Sequence, residues 1–179
     1  RPLVVLLGDV CAVDDERNGL VDRAAQLDSW LEVADEVLLA GRLAIELLAA
    51  SGRSVGRHHV DEAIIPTAKK LMIKAGRLQV RLRLPIDFVT GDVPADEARG
   101  EGSDQVDGEE EDDEDEEDST AEGFEYAGEV GDSTLDNIPS NAYALDIGTA
   151  TCETYKAVFA TAQAIYWAGV LGATQCSAF

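Results

Sequence analysis

Two adjacent histidines, His58 and His59, are the side chains of this sequence best suited to acid–base or metal chemistry. A metal site needs further ligands at suitable spacing, and no cysteine pair accompanies the histidines. They follow Arg57 in a segment with the character of a loop. We therefore expect a solvated or partly packed histidine pair, not a catalytic or metal-binding one.

The three cysteines, Cys11, Cys152 and Cys176, have no paired spacing of the kind that binds metals. An odd number of cysteines fits a reducing compartment better than a disulfide scaffold, so a cytoplasmic location is expected. We predict that the cysteines are small buried hydrophobic residues.

Carboxylates and arginines provide two further candidates. Asp14 and Asp146 could form a pair for Mg²⁺, but the additional oxygen ligands that such a site needs are not evident, and no metal site is assigned. Arg81 and Arg83 share one face of a predicted strand. A face in contact with water explains them better than an anion site does.

The elements that would position these side chains alternate between strand and helix. Short apolar runs and period-two alternation predict strands at residues 3–7, 37–40, 78–84, 86–90, 143–147 and 164–167. Helical spacing of apolar residues predicts helices at residues 18–31, 43–50 and 61–76 and from residue 149 onward. The fold class is therefore α/β, a Rossmann-like, mainly parallel sheet with helices on both faces.

Parallel sheets of this class bind ligands at the carboxyl ends of their strands. A binding site is therefore expected in the loops that follow Leu7, Leu39, Thr90, Ile147 and Trp167.

Negative charge is concentrated in one part of the chain. The 179 residues carry a net charge of −22, and residues 92–136 contain 21 of the 36 acidic residues with one basic residue. Ten consecutive carboxylates begin at Glu109 and end at Asp118. Low hydrophobicity and like-charge repulsion predict a disordered insert at residues 92–137, between two parts of one α/β domain, residues 1–91 and 138–179.

The charge pattern also bears on partners. A nucleic-acid partner and an anionic membrane surface are not expected, because no cations are clustered. The longest apolar runs fall far short of the roughly 20 residues that cross a bilayer. The carboxylates from Glu109 to Asp118 could instead dock a basic protein partner.

Several motifs occur in one order along the chain. They are Pro2-Leu-Val-Val-Leu-Leu-Gly8, Leu84-Pro-Ile-Asp-Phe-Val-Thr-Gly-Asp92, Leu145-Asp-Ile-Gly148 and Trp167-Ala-Gly-Val-Leu-Gly172. The sequence resembles the nucleotide-binding, C-terminal half of phosphoglycerate kinase, whose form of the second motif is Leu-Pro-Val-Asp-Phe-Val-Thr-Ala-Asp. The resemblance extends from Pro2 to Phe179, apart from the acidic insert and an expansion near residues 17–30.

That resemblance implies phosphoryl transfer between ATP and 3-phosphoglycerate in glycolysis, with Mg-ATP or Mg-ADP bound by this half of the molecule. No catalytic residue is assigned. The family's nucleotide-binding positions correspond here to Gly8, Asp14, Asp15, Gly41, Ala144, Gly148, Gly169, Gly172 and Gln175.

Several of these positions have lost the residue type that the family uses. Where the family has Gly-Gly-Ala-Lys-Val-Ser-Asp-Lys, residues 8–15 carry Cys11 and Asp15 in place of the lysines and Asp9 in place of a glycine. Arg42 replaces a glycine of the turn after the second strand and is expected to enter nucleotide space. Phosphoryl transfer depends on cationic stabilisation, so these changes predict impaired catalysis.

The resulting expectation is a phosphoglycerate kinase-like domain that is inactive alone and acts as a structural or interaction module. One alternative is a fragment of a genuine phosphoglycerate kinase with weak ATP binding; the chain begins at Arg1, and the family's substrate-binding N-terminal domain lies outside it. A second alternative is an acidic assembly or docking protein.

Overall fold

The structure is a computed structural model that describes residues 2–9, 19–91 and 130–173. Within these ranges the strands are β1 Leu3–Leu7, β2 Glu36–Leu39, β3 Arg81–Arg83, β4 Asp87–Gly91, β5 Val130–Thr134, β6 Tyr143–Ile147 and β7 Ala164–Ala168. The helices are α1 Gly19–Trp30, α2 Gly41–Ala50, α3 Ile65–Leu78 and α4 Thr149–Thr161, and a 3-10 helix, Glu62–Ile64, precedes α3.

Four strands form a parallel sheet in the order β3-β2-β1-β7. Strand β1 lies at its centre, where Val5 is in register with Val37 of β2 and Tyr166 of β7. A central strand of a parallel sheet is covered on both faces, which is why β1 is apolar throughout. The predicted α/β class with a parallel sheet is confirmed.

Alternate side chains of β1 enter two separate cores. Val5 and Leu7 pack with α1, α2 and α3 on one face of the sheet. Val4 and Leu6 pack with Tyr155 of α4 on the other face. Because successive side chains of a strand point to opposite faces, this continuous apolar run supports both helical layers.

The other three strands form a separate antiparallel sheet in the order β5-β4-β6. The strands β4 and β6 are antiparallel, so the loops after Thr90 and Ile147, both expected at the carboxyl ends of parallel strands, lie at opposite ends of this sheet. Ile147 pairs with Phe88 near the beginning of β4, and Gly148 donates its N–H to the carbonyl of Asp87. The loop after Gly91 begins outside the described residues.

Strand β5 lies within the range that the sequence assigned to the disordered insert. Its residues pair with β4, from Asp87 opposite Thr134 to Gly91 opposite Val130. A strand is therefore present from Val130, because backbone pairing with β4 stabilises a weakly apolar sequence that would not predict a strand. Residues 92–129 lie outside the described residues.

Helix α2 connects the two sheets. Leu43 and Leu47 belong to the core of the parallel sheet, whereas Ile45 and Leu48 pack with Phe88 of the antiparallel sheet. A helix that is apolar on all sides is expected to be buried on all sides, and in α2 nearly every residue is buried.

Helix α3 and strand β3 differ from their predicted bounds. The helix continues past Gly76 to Leu78, and Gln79 ends it in the left-handed region with φ 57°. Strand β3 is accordingly limited to Arg81–Arg83. Left-handed residues commonly terminate helices, although glycine is the usual choice at such a position.

Candidate functional site

The loops after β1, β2 and β7 meet at the carboxyl edge of the parallel sheet through glycines. A Cβ atom at Gly8 would lie 1.8 Å from the carbonyl oxygen of Val170, and one at Gly41 would lie 1.8 Å from that of Asp9. At Gly169 it would lie 2.1 Å from the carbonyl oxygen of Gly8. Gly41 and Gly169 also have φ values of 60° and 83°, which favour glycine. These glycines therefore allow the three loops to contact one another closely.

The segment after β7 then crosses to β6. A Cβ atom at Gly172 would lie 2.6 Å from the carboxyl group of Asp146, and Ala173 donates its N–H to the carbonyl of Leu145 at 2.8 Å. A narrow cleft with no space for a water-sized sphere lies between this segment, α2 and β6. It is lined by Gly41, Ile45, Phe88, Ala144, Leu145, Asp146, Ile147 and Leu171.

The structure thus brings together five of the residues that the resemblance assigns to nucleotide binding, namely Gly8, Gly41, Ala144, Gly169 and Gly172. Gly148 is placed differently, because it lies against the side chain of Asp87 at the start of α4. Asp14, Asp15 and Gln175 lie outside the described residues.

The charged groups at this edge include one partly buried carboxylate. Burial raises the pKa of Asp146 above its ordinary value, and the hydrogen bond from the N–H of Ile147 only partly offsets this. Asp9 pairs with Arg23 of α1, with 3.7 Å between Nε and Oδ2. The guanidinium of Arg23 also lies close to Gly169. Arg23, a cation beside the β7 loop, therefore already has an anionic partner.

Arg42 does not occupy the cleft, contrary to the sequence expectation. Its Nε lies 3.2 Å from Oε1 of Glu46, and its Nη2 donates to the carbonyl of His59 at 2.5 Å. Glu46 also accepts the N–H of Leu20 at 2.6 Å. Both side chains of the ion pair are almost completely buried. The i,i+4 spacing on α2 turns Arg42 toward a buried acid, so it joins α2 to its neighbours.

His58 is the clearest residue that sequence reasoning misplaced. Its side chain is buried, with 7% of the residue exposed, and Nε2 lies 2.9 Å from the backbone nitrogen of Ala144. His59 is exposed, as expected for a loop histidine. Nothing in the local sequence distinguishes the two histidines, because the burial of His58 depends on the position of β6, which is distant in sequence.

The remaining candidate residues from the sequence are two arginines and the three cysteines. Arg81 and Arg83 both pair with the buried carboxylate of Glu36, so they form neither a purely solvated face nor an open anion site. Cys152 is a free, partly buried thiol, and burial raises its pKa, with the charge of Asp146 adding to the effect. Cys11 and Cys176 lie outside the described residues.

No three His, Cys, Asp or Glu side chains within residues 2–9, 19–91 and 130–173 are grouped closely enough to hold a metal ion. None of the helices described in these ranges has the length and apolar character needed to cross a bilayer.

Comparison with known proteins identifies relatives along the whole chain. The family model described as phosphoglycerate kinase matches residues 20–179. Phosphoglycerate kinase of Pelobacter propionicus is 26% identical over 179 residues, which cover 100% of this chain and 35% of that protein. Phosphoglycerate kinase of Salinispora arenicola is 27% identical with the same coverage. The chain therefore spans 35% of the length of these relatives.

Solved structures have the same fold. Phosphoglycerate kinase from Coxiella burnetii matches with a TM-score of 0.74 at 22% identity, over 99% of this chain and 36% of that one. The enzyme from Pyrococcus horikoshii matches with a TM-score of 0.61 at 20% identity, over 96% of this chain and 35% of that one. Because the family model covers most of the sequence, the chain belongs to the phosphoglycerate kinase family.

Proposed function

We propose that this chain is a nucleotide-binding-type domain of a phosphoglycerate kinase that has lost the positive charge needed for phosphoryl transfer. On this proposal the chain alone is catalytically inactive and acts as a structural or interaction module. The close contact of the β1, β2 and β7 loops at Gly8, Gly41 and Gly169 is the observation that carries the proposal.

Those contacts leave little room for a nucleotide. Pockets that bind small molecules typically enclose about 300–1,000 Å³, whereas the cleft beside Gly41 and Ala144 has no space for even a water-sized sphere. Backbone of a neighbouring loop lies against each of the three glycines. The described residues therefore do not fit Mg-ATP or Mg-ADP in this arrangement.

The electrostatics of the described edge also disfavour phosphates. Arg23 is paired with Asp9, and Arg42 is paired with Glu46, so neither guanidinium is available without breaking an ion pair. Asp146 adds a carboxylate to the cleft. A transferring phosphoryl group needs cations or preorganised donors where its charge develops, and these pairings work against that need.

A second candidate is a fragment of a genuine phosphoglycerate kinase that retains weak ATP binding. The observation that favours it is the coverage, since the chain corresponds to 35% of relatives that match it from end to end. The substrate-binding domain would then belong to the remainder of a longer protein. The docking of a basic partner on the run from Glu109 to Asp118 remains a separate prediction, because those residues lie outside the described structure.

Calorimetric titration with Mg-ATP and with Mg-ADP tests the proposal. We expect the unmodified chain to bind with a dissociation constant of about 1 mM or weaker. A double variant, Cys11→Lys with Asp15→Lys, should bind at least about tenfold more tightly, a change of about 1.4 kcal/mol, because it restores cations at the family's positions.

A matched control separates local charge from net charge. Ser54 and Ser140 are exposed residues distant from the three loops in sequence, and replacing both with lysine adds two positive charges elsewhere. This control should bind nucleotide no better than the unmodified chain. A dissociation constant below about 100 µM for the unmodified chain would overturn the proposal and favour the second candidate.

A further inference from the structure

His58 links the segment between α2 and the 3-10 helix to strand β6. Its Nε2 atom lies 2.9 Å from the backbone nitrogen of Ala144 and 3.1 Å from the carbonyl oxygen of the same residue. The imidazole ring also packs edge-on against Tyr143, with 5.2 Å between ring centroids. One buried side chain of residues 51–61 therefore contacts the strand that lines the cleft.

The two polar contacts require different protonation states. A neutral imidazole with a bare Nε2 accepts the N–H of Ala144, whereas a protonated Nε2 can only donate, and then only to the carbonyl. Protonation of both ring nitrogens in acid therefore removes this acceptor from the buried N–H of Ala144. Protonation also places a positive charge in a buried site, which destabilises the contact between His58 and β6.

The surroundings of His58 favour the neutral form. Burial lowers the pKa of His58 to about 4, the hydrogen bond to the backbone of Ala144 opposes this shift, and the positive charge of Arg42 adds to it. Charged and titratable groups from each neighbouring element are Arg42 and Glu46 of α2, Arg57 and His59 of the same segment, and Tyr143 and Asp146 of β6.

Besides the His58 contact, several others join the segment to the chain around β6: Val55 and Val60 pack in the core that contains Ala144, and Arg53 pairs with Asp136. The backbone N–H of Arg57 donates to the carbonyl of Ala142 at 2.9 Å, and Gly56 allows close approach to the same carbonyl. The guanidinium of Arg57 lies over the ring of Tyr143 at 5.3 Å. The side chain of His58 is next to these contacts, and its titration directly changes the bonding to β6.

We propose that His58 is a proton-operated latch. In its neutral form it joins residues 51–61 to β6 through the N–H of Ala144, and its protonation by solvent breaks this contact and loosens the segment beside Ala144. The latch is independent of whether the cleft binds nucleotide, because it concerns only the contact between the segment and the strand.

An NMR titration of the isotopically labelled full chain from pH 7 to about pH 3, which passes below the His58 pKa of about 4, tests the latch. The His58 ring and the Ala144 amide should shift with one common midpoint, at least one pH unit below the ordinary histidine value of 6.5. The protection factor of the Ala144 amide should fall at least tenfold across that midpoint, while the central Val5 amide keeps its protection. Three results would overturn the latch: a midpoint near 6.5, unchanged protection at Ala144, or simultaneous loss of protection at Val5.

Two variants provide a matched comparison. The side-chain carbonyl of glutamine can accept the Ala144 N–H without titrating in this range, so His58→Gln should abolish the acid-induced change in protection. His59→Gln alters the exposed neighbour and should leave that change intact. Persistence of the transition in His58→Gln would contradict the proposal, and the titration of the unmodified chain decides the matter even if that variant does not fold.

Discussion

Asp87 determines how helix α4 begins. Its carboxylate accepts the backbone N–H of Ala150 at 2.8 Å and that of Thr151 at 2.7 Å, and it also accepts the hydroxyl of Thr151. Gly148 is needed beside it, since a Cβ atom there would lie 2.3 Å from the carboxyl carbon. An aspartate from β4 therefore serves as the helix cap that Gly148, lacking a side chain, cannot provide.

Replacing Asp87 with alanine should destabilise the fold by about 1–2 kcal/mol, because N–H groups of the first turn lose their acceptor. Urea unfolding measures this change. Glu153→Ala, on the same helix, removes only an exposed pair with Lys156 and should cost less than about 0.5 kcal/mol. Equal costs for the two variants would show that Asp87 is not a cap.

The same site makes a prediction about pH. Burial raises the pKa of Asp87, but the hydrogen bonds from Thr151 and from the backbone of Ala150 outweigh it, so the pKa lies below its ordinary value. A carboxylate with a lowered pKa stabilises the fold above the unfolded-state pKa of about 3.9, and the contribution is lost as the pH falls through the folded-state value. The stability difference between the unmodified chain and Asp87→Asn should therefore shrink in acid.

At the scale of elements, Glu36 holds β3 to β2. Its carboxylate is almost fully buried and pairs with Arg81, at 2.8 Å, and with Arg83. Both arginines are partly exposed; Arg81 is the register partner of Glu36, and Arg83 lies two residues further along β3, opposite Leu38. Two cations share one buried anion, so either can neutralise it if the other is removed.

That sharing predicts a strongly non-additive pair of mutations. Arg81→Met and Arg83→Met should each cost about 1 kcal/mol or less, whereas the double variant should cost about 3 kcal/mol or more by leaving a buried charge without its cations. Chemical denaturation of all four proteins gives the coupling energy. Additive costs would mean that Glu36 does not depend on either arginine.

Elements with strong local patterns could be predicted from the sequence, and those defined by distant pairing could not. The apolar run of β1 and the helical spacing of α2 led directly to their structures. The sequence of β5 is mostly polar and glycine-containing, and it is a strand because β4 pairs with it. The division into two sheets could likewise not be predicted from the sequence, because no local signal specifies which strands are neighbours.

The same limit applies to the candidate site. Its glycines could be assigned from motifs, because a turn that needs glycine leaves a mark in the sequence. The direction in which a long side chain points leaves no such mark in the sequence. Arg42 turned toward Glu46, and His58 became buried against β6, for reasons that depend on residues as far as 86 positions away.

For the molecule as a whole, the acidic segment joins two positions that are already adjacent. Gly91 and Val130 are register partners at the end of the β4–β5 ladder, so 38 residues connect neighbouring backbone sites. A connection of that length costs closure entropy without being needed to reach from one strand to the other.

Replacing residues 92–129 with a four-residue turn should therefore raise the free energy of unfolding by about 1–2 kcal/mol, since each doubling of loop length costs about 0.6 kcal/mol. A second variant that keeps the length but replaces residues 109–118 with glycine and serine separates charge repulsion from closure entropy. Urea denaturation compares the three chains. Lower stability in the shortened chain would instead mean that the segment contributes packing.

Of the two tryptophans of the chain, Trp167 belongs to strand β7 and Trp30 packs against it. Trp30 packs on Tyr166, with 4.4 Å between ring centroids, and Trp167 stacks on Phe159 at 6.5 Å while remaining 58% exposed. Intrinsic fluorescence of this protein is therefore a local signal from one margin of the parallel sheet. A ligand in the cleft beside Ala144 could bind without changing the emission spectrum, whereas a molecule that covers β7 would shift the emission of Trp167 to shorter wavelength.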